Sequence, residues 1–225
     1  MAPLALTGCA ANSESALTTA PTAPLTVQAE VEPERITPEF TPLVDHVRAR
    51  ATLWREGAPI NSLVLDSRQT VLNPVAIDCQ RREPVVIVDL DHATARPPLA
   101  DGMKVAPGWP NTQMAIRAER VAIAWVTDMP TAETGAIRRH LSLSGLDVGG
   151  ADPIAGRENA DDRKQAIRQR LAARFCILAV VGDTRGDADE AYDYLRSADT
   201  ALPIDTNWGA GWFLLPAPLS HAGAK

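Results

Sequence analysis

Two short apolar runs that end in aspartates constrain the fold of this 225-residue chain more than any other feature. The first, PVVIVDLD, ends with Asp89 and Asp91, and the second, ILAVVGDTRGD, ends with Asp183 and Asp187. Short runs rich in β-branched residues are typical of buried strands in a parallel sheet. The carboxyl ends of such strands meet at the edge where open α/β sheets bind ligands, so we expect the four aspartates to share one crevice.

The rest of the sequence alternates between helical and extended patterns. These patterns predict helices over 43–56, 111–118, 131–144, 160–173 and 187–197, and strands over 84–90, 120–127, 175–182 and near 212–215. The segment 62–79 fits either a strand or a helix. Such alternation calls for a parallel sheet with helices on both faces. We therefore predict an α/β domain over 36–220, a doubly wound, mainly parallel three-layer sandwich with a minimal cap, followed by a tail at 221–225.

The composition excludes some classes of partner. A formal net charge of −6 and a sequence pI near 5.2 provide no basic field for nucleic acid. No apolar run approaches the roughly 20 residues that cross a bilayer. We expect a small molecule as the substrate.

The N-terminus contains a possible lipid attachment site. Leu6-Thr-Gly-Cys9-Ala10 has the form of a bacterial lipobox, in which small residues precede a cysteine that receives lipid. Residues 10–35 are rich in Ala, Thr, Ser, Pro and Glu and lack periodicity, as in a solvated tether. We therefore predict that residues 1–35 are a disordered tether, lipid-anchored through Cys9 in a bacterial envelope, in the outer membrane and facing the periplasm. The alternative is a chance match in a disordered tail of a periplasmic or secreted protein.

Polar residues end three successive predicted strands, namely Asp89, Thr127 and Asp183. Arg163 and Lys164 lie in the N-terminal part of the predicted helix 160–173, from which either could reach over the same crevice. We favour Lys164. Acids, a hydroxyl and a basic residue at one sheet edge are what a phosphoryl-transfer site requires.

The spacing of the first two aspartates suits covalent catalysis. Asp89 could attack a phosphoryl group and form an aspartyl phosphate, and Asp91 could protonate the leaving alcohol and later deprotonate water. Two unit charges about 4 Å apart repel by roughly 4 kcal/mol at an effective dielectric of about 20, so an anionic substrate in this site requires a cation. Mg²⁺ prefers such oxygen ligands. We predict that its ligands come from Asp89, Asp91, Asp183 and Asp187.

The order of DLDHA, VTDMP, a basic residue and GDTRGD resembles the haloacid-dehalogenase-like phosphatases. The later segment WGAGWFLLPAP resembles the closing segment of the bacterial outer-membrane lipoprotein acid phosphatases in that superfamily. The resemblance covers roughly residues 84–220. It implies the following roles: Asp89 the nucleophile, Asp91 the acid/base, Thr127 a hydrogen-bond donor to the phosphoryl group, Lys164 the basic residue and Asp183 a magnesium ligand.

Two functions follow from these motifs. The first is a Mg²⁺-dependent acid phosphatase acting on small phosphomonoesters, nucleotides among them, through an aspartyl-phosphate intermediate. The alternative is a catalytically degenerate relative with a binding or structural role in the cell envelope. Ala93 and Ala217 favour the alternative, since they replace residues that are usual in the family.

The three cysteines provide no metal site. Cys79 and Cys176 have no metal-ligand spacing with each other or with any of the four histidines. Cys176, at the start of an apolar strand, is interpreted as a small core residue. A disulfide between the two stays open, because sequence alone cannot establish the geometry that one requires.

Overall fold

The structure, a computed structural model, describes residues 36–66, 68, 70–91, 103–197 and 199–221. These residues lie within one compact unit, Glu34–Lys225. The helices are α1 (Thr41–Arg55), α2 (Trp109–Ala118), α3 (Thr134–Leu143) and α4 (Lys164–Arg174). The strands are β1 (Asn61–Leu65), β2 (Ala76–Asp78), β3 (Pro84–Asp89), β4 (Met103–Val105), β5 (Ala122–Pro130), β6 (Ile154–Arg157), β7 (Cys176–Gly182), β8 (Trp212–Leu214) and β9 (Leu219–His221).

Five of the strands form a parallel sheet in the order β6-β5-β3-β7-β8. From β3 the chain adds β5 and β6 on one side, and it then returns to add β7 and β8 on the other. The strand order therefore reverses at β3, and the crevice between β3 and β7 lies at the topological switch point of the sheet. Asp89 is the last residue of β3, and Asp183 follows β7 directly.

Both faces of the sheet are covered, and the residues of β3 show this by alternation. Val86 and Val88 pack into a cluster with α1, α2 and α3, whereas Val85 and Ile87 pack into a second cluster with α4 and β1. All six residues of β3 are buried. The predicted three-layer, doubly wound α/β architecture is therefore confirmed, with β1 and β2 forming part of one outer layer.

A disulfide joins Cys79, which follows β2, to Cys176, the first residue of β7. The two Cα atoms are 4.8 Å apart, and both residues are buried. The interpretation of Cys176 as a simple core residue was therefore incomplete. The bond fastens the β1–β2 hairpin to the end of the sheet opposite the aspartates.

Most predicted elements are confirmed within a few residues. The ambiguous segment 62–79 forms the antiparallel pair β1 and β2, which starts at Asn61 and ends at Asp78. Prediction missed the short strand β6, in which only Gly156 is buried, and the pair formed by β4 and β9. β9 extends to His221, the first residue of the predicted tail.

The predicted helix 187–197 is wrong. Residues 185–194 instead contain two 3₁₀ helices, Arg185–Asp187 and Glu190–Tyr194, the first of which ends where the predicted helix begins. The Asp187 carboxylate accepts the backbone N–H of Thr184, and the Asp189 carboxylate accepts that of Ala191. Such local bonds from aspartate favour turns over helix interiors.

The predicted tether 1–35, the lipobox with Cys9, and Ala93 lie outside the described residues, as does most of the segment between β3 and β4 where a cap would be inserted. Among the helices that are described, none combines the length and the apolar character needed to cross a membrane.

Candidate active site

Lys164 and three of the predicted aspartates meet at the C-terminal edge of the sheet. The Lys164 ammonium lies 2.8 Å from Oδ2 of Asp89, 3.0 Å from Oδ1 of Asp187 and 3.3 Å from Oδ2 of Asp91. The side chain of Lys164 is 18% exposed, and the three carboxylates are more deeply buried. The structure thus brings together residues from the end of β3, the turn after β7 and the start of α4.

Asp89 is fixed by its place at the end of the central strand. Backbone pairing with β5 continues past it, because the Leu90 N–H donates to the carbonyl of Val126 at 2.9 Å. Its Oδ2 accepts hydrogen bonds from Lys164 and from the Asp91 backbone N–H at 3.2 Å. Its Oδ1 is buried and accepts no hydrogen bond from the described residues. A buried oxygen without a donor is a site to which a ligand can bind.

Asp91 is oriented by donors from β5. Thr127 Oγ1 donates to its Oδ1 at 2.8 Å, and the Asp128 backbone N–H donates to its Oδ2 at 2.6 Å. Thr127 is fully buried, and its own oxygen accepts from the Met129 N–H at 3.2 Å. In this structure Thr127 therefore contacts the second acid of the motif. Its predicted bond to a phosphoryl group stays a prediction.

The start of α4 decides between the two basic candidates. Arg163 is extended, and α4 begins at Lys164. Arg163 extends toward Tyr194, where its guanidinium lies 5.5 Å from the ring centroid and 4.0 Å from Glu190. Lys164 alone of the two reaches the aspartates. The role of Lys164 as the basic residue of the site stays a prediction.

Asp187 is held by a capping box in the turn after β7. Its Oδ2 accepts from both the backbone N–H and the hydroxyl of Thr184, at 2.9 and 2.8 Å. Gly182, at the end of β7, allows this approach, since a Cβ there would overlap the side chain of Asp187. Asp183 is half-buried at the same edge, directly after Gly182. In the motif GDTRGD, Gly182 thus leaves space for the side chain of Asp187, and Thr184 forms the capping box with it.

Burial and neighbouring charges shift the acids in different directions. Burial raises the pKa of Asp89 well above its ordinary value, aided by Asp187 and Asp91 and opposed by Lys164. Burial likewise raises the pKa of Asp91. Burial also acts to raise the pKa of Asp187. The charge of Lys164 and the hydrogen bonds from Lys164 and Thr184 outweigh burial, so the pKa of Asp187 is lowered. Burial acts to lower the pKa of Lys164, but the three acids outweigh burial and raise that pKa.

Three residues around the crevice were not anticipated. Arg168 is 1% exposed on α4, one turn beyond Lys164. Gln165 donates to the carboxylate of Asp189, which is itself buried, at 3.4 Å. In the sequence these three are ordinary polar residues of predicted helices, and no local pattern marks them as buried.

The chemistry of the crevice fits a divalent cation. Asp89, Asp91 and Asp187 supply buried carboxylate oxygens, the kind of ligand that Mg²⁺ prefers, and the half-buried Asp183 lies at the same edge. The donor-free Oδ1 of Asp89 is one oxygen that could ligate a metal. Within the described ranges, no three acidic, histidine or cysteine side chains are already grouped as a metal site, and here the Lys164 ammonium lies between the acids.

Comparisons with known proteins do not assign the chain to a family. No protein-family model matches it, and no curated protein matches it. Among solved structures, it is similar to the class C acid phosphatase from Bacillus anthracis, with 13% identical residues and a TM-score of 0.39 over 81% of this chain and 79% of that one. This likeness is too distant to assign an activity.

Proposed function

We propose that the protein hydrolyses small phosphomonoesters, nucleotides among them, in a Mg²⁺-dependent reaction that passes through an aspartyl phosphate on Asp89. The observation that carries the proposal is the convergence of Asp89, Asp91 and Lys164 within hydrogen-bonding distance at the switch point of a parallel sheet. The same motif order resembles that of haloacid-dehalogenase-like phosphatases. Covalent catalysis needs a nucleophile and a separate proton donor, and the two aspartates supply both.

In the first step the Asp89 carboxylate attacks phosphorus and forms a new P–O bond. The bond from phosphorus to the alcohol oxygen breaks, and Asp91 gives that oxygen its proton. In the second step Asp91 takes a proton from water, whose oxygen attacks phosphorus and releases Asp89 together with inorganic phosphate. Lys164 holds Oδ2 of Asp89 and offsets negative charge in both steps.

The surroundings of Asp91 suit an acid that later acts as a base. Burial raises the pKa of Asp91, which is the direction that a general acid requires. Thr127 and the Asp128 N–H fix the direction of its carboxylate. Lys164 is near enough, at 3.3 Å, to stabilise the carboxylate once the proton has left.

The residues that would hold Mg²⁺ are Asp89 and Asp183, with Asp187 and Asp91 in support. Bound there, the ion would offset the repulsion between the acids and the anionic phosphoryl group and polarise the latter.

We further propose that the protein works outside the cytoplasm of a bacterial cell. The buried Cys79–Cys176 disulfide supports this location, because such bonds persist in oxidising compartments. Attachment through a lipid on Cys9, facing the periplasm from the outer membrane, remains part of the proposal.

The direct test is turnover of a chromogenic aryl phosphate by the full chain, with Mg²⁺, with a chelator, and as Asp89→Asn. We expect Mg²⁺-dependent hydrolysis that falls about a thousandfold or more in the variant, about 4 kcal/mol in barrier height. Asp45→Asn is the control, since Asp45 is an exposed aspartate of α1 that pairs with Arg48 on the same helix.

Acid quenching of the reaction during turnover should trap phosphate on the protein, in a peptide that contains Asp89. Folded wild-type protein that hydrolyses no more than Asp89→Asn would favour the degenerate binding lipoprotein instead.

A further inference from the structure

Arg168 is a fully buried cation that the proposed reaction does not use. It lies on α4 with 1% of its surface exposed. Its Nη1 donates to the backbone carbonyl of Asp187 at 2.8 Å, and its Nη2 donates to Oε1 of Gln165 at 2.6 Å. Its Nε is buried and has no acceptor among the described residues. The side chain thus links α4 to the turn that carries Asp187.

Packing does not explain a guanidinium in this position. Removing a charge from water is costly, and apolar residues of similar volume are often as good or better for stability at such positions. The neighbouring residues of α4, Ile167 and Leu171, fill the core cluster without any charge. Burial lowers the pKa of Arg168, and Asp189, Asp187 and Asp89 oppose that effect. The acids of the crevice therefore offset only part of the cost of burial.

Within the turn held by Arg168, the capping box supplies the short hydrogen bonds, and the backbone–backbone bonds around Asp187 are longer. The Asp187 N–H donates to the Thr184 carbonyl at 3.3 Å, and the Ala188 and Asp189 N–H groups donate to the Arg185 carbonyl at 3.1 and 3.3 Å. The bond from Arg168 to the Asp187 carbonyl is shorter, at 2.8 Å, and is charge-assisted. Unlike the bonds within the turn, it joins the backbone of Asp187 to a separate element, α4.

A second tie runs alongside the first. Gln165 accepts from Arg168 and donates to the Asp189 carboxylate at 3.4 Å. The backbone of Asp187 and the side chain of Asp189 are thereby both connected to the helix that supplies Lys164. The planar fork of arginine makes this possible, because its two terminal nitrogens point to two different acceptors.

We propose that Arg168 is a positioning residue, which fixes Asp187 opposite Lys164 and Asp89 and thereby sets the affinity of the crevice for a divalent cation. This inference rests on the proposed function for its cation. Without the Arg168 guanidinium the turn should become more mobile. Asp187 would then no longer stay beside Lys164 and Asp89. Residues that orient metal ligands in this way typically change metal affinity or activity by about 10- to 100-fold.

The test compares Arg168→Met with Arg170→Met in the full chain. Arg170 lies two residues further on the same helix but pairs with Glu158 and Asp162, outside the crevice. Amide hydrogen exchange reports on the turn, calorimetric titration with Mg²⁺ reports on affinity, and aryl phosphate turnover separates kcat from KM. For Arg168→Met we expect faster exchange confined to residues 183–189, a Mg²⁺ affinity lower by about 10- to 100-fold, and a fall in kcat with little change in KM.

The control should match the wild type in all three measurements. Wild-type exchange and wild-type Mg²⁺ affinity in folded Arg168→Met would overturn the proposal. If Arg168→Met does not fold, Gln165→Leu removes the second tie while keeping the buried charge, and it should give the same changes at smaller size; no change would again overturn the proposal. A wild-type protein that binds no Mg²⁺ would overturn the proposed function and the role in cation affinity, while hydrogen exchange would still decide whether Arg168 holds the turn.

Discussion

The crevice has two halves that are built by different means. The strand half (Asp89, Asp91 and Thr127) lies on or just after β3 and β5. The backbones of these two strands pair directly, with Asp89 in register with Val126. The turn half (Lys164, Arg168 and Asp187) is assembled by side chains, through the capping box of Asp187 and the bonds from Lys164 and Arg168. Backbone pairing survives most side-chain substitutions, whereas a side-chain network is lost with one of its members. Substitutions in the strand half should therefore change chemistry alone, and those in the turn half should also change stability and geometry.

The largest combined effect on stability and turnover is expected for Lys164→Met, in the turn half. It leaves three buried carboxylates without their shared cation, and breaking a buried pair in this way typically costs about 3–5 kcal/mol of unfolding free energy. Turnover should be lost as well. Urea unfolding measures the free energy, with Arg163→Met as the control, because Arg163 is largely exposed and its ion pair should contribute about 0–1 kcal/mol.

Asp89→Asn in the strand half sharpens the comparison. The variant removes a buried carboxylate whose pKa is raised by burial. The unfolding free energy of the variant should therefore equal or exceed that of the wild type, although turnover is lost. Equal destabilisation by Asp89→Asn and Lys164→Met would show that the two halves do not differ.

The disulfide gives a reference outside both halves. Cys79→Ser with Cys176→Ser opens a connection between residues 97 positions apart, which the chain-entropy account values at about 4 to 5 kcal/mol. The bond lies at the end of β7 opposite the crevice, so kcat of the folded variant at low temperature should equal that of the wild type. Thermal unfolding and turnover measure the two effects, and a fall in kcat without unfolding would mean that the crevice depends on the far end of the sheet.

A smaller effect is expected for Thr127→Ala. The change removes the hydroxyl that orients Asp91, and a single hydrogen bond of this kind contributes about 1 to 1.5 kcal/mol, or about tenfold in kcat. Thr127→Ser retains the hydroxyl and should retain most of the rate. Equal rates for the two variants would show that the hydroxyl has no part in catalysis.

The smallest expected effect concerns Tyr192, behind the turn half. Its hydroxyl donates to Asp205, and burial together with that acid raises its pKa from 10.0 to about 12. The folded state thus favours the neutral phenol, so the stabilisation is complete below pH 10 and is lost as the pH rises toward 12. Tyr192→Phe should show a shallower loss of unfolding free energy in that window, as measured by urea unfolding. A wild-type slope in the variant would contradict this assignment.

Sequence patterns predicted the strand half more completely than the turn half. Runs such as PVVIVD have only one stable environment, a sheet buried on both faces, so the position of Asp89 follows from the run itself. In the turn half the pattern identified Asp187 and Lys164 but predicted a helix over 187–197, because the local bonds of Asp187 and Asp189 cannot be recognised from spacing. Arg168 fits the pattern of a solvated helix residue, and only tertiary contacts reveal its burial.

The cysteine pairing could not be predicted for a related reason. Nothing in the sequence brings residue 79 next to residue 176 until the sheet order places β7 beside β3. β6 was missed because four residues with one buried position give too little periodicity. In each case the missing information is a contact between segments that are distant in the chain.

The disulfide also has a consequence for the order in which the chain matures. During synthesis or export from the N-terminus, Cys79 emerges long before Cys176, and the third cysteine, Cys9, precedes both. Until residue 176 emerges, the thiol of Cys79 has Cys9 as its only partner within the chain. A modification that blocks Cys9 early, as the predicted lipid would, removes this wrong partner and leaves a single intramolecular pairing to be made.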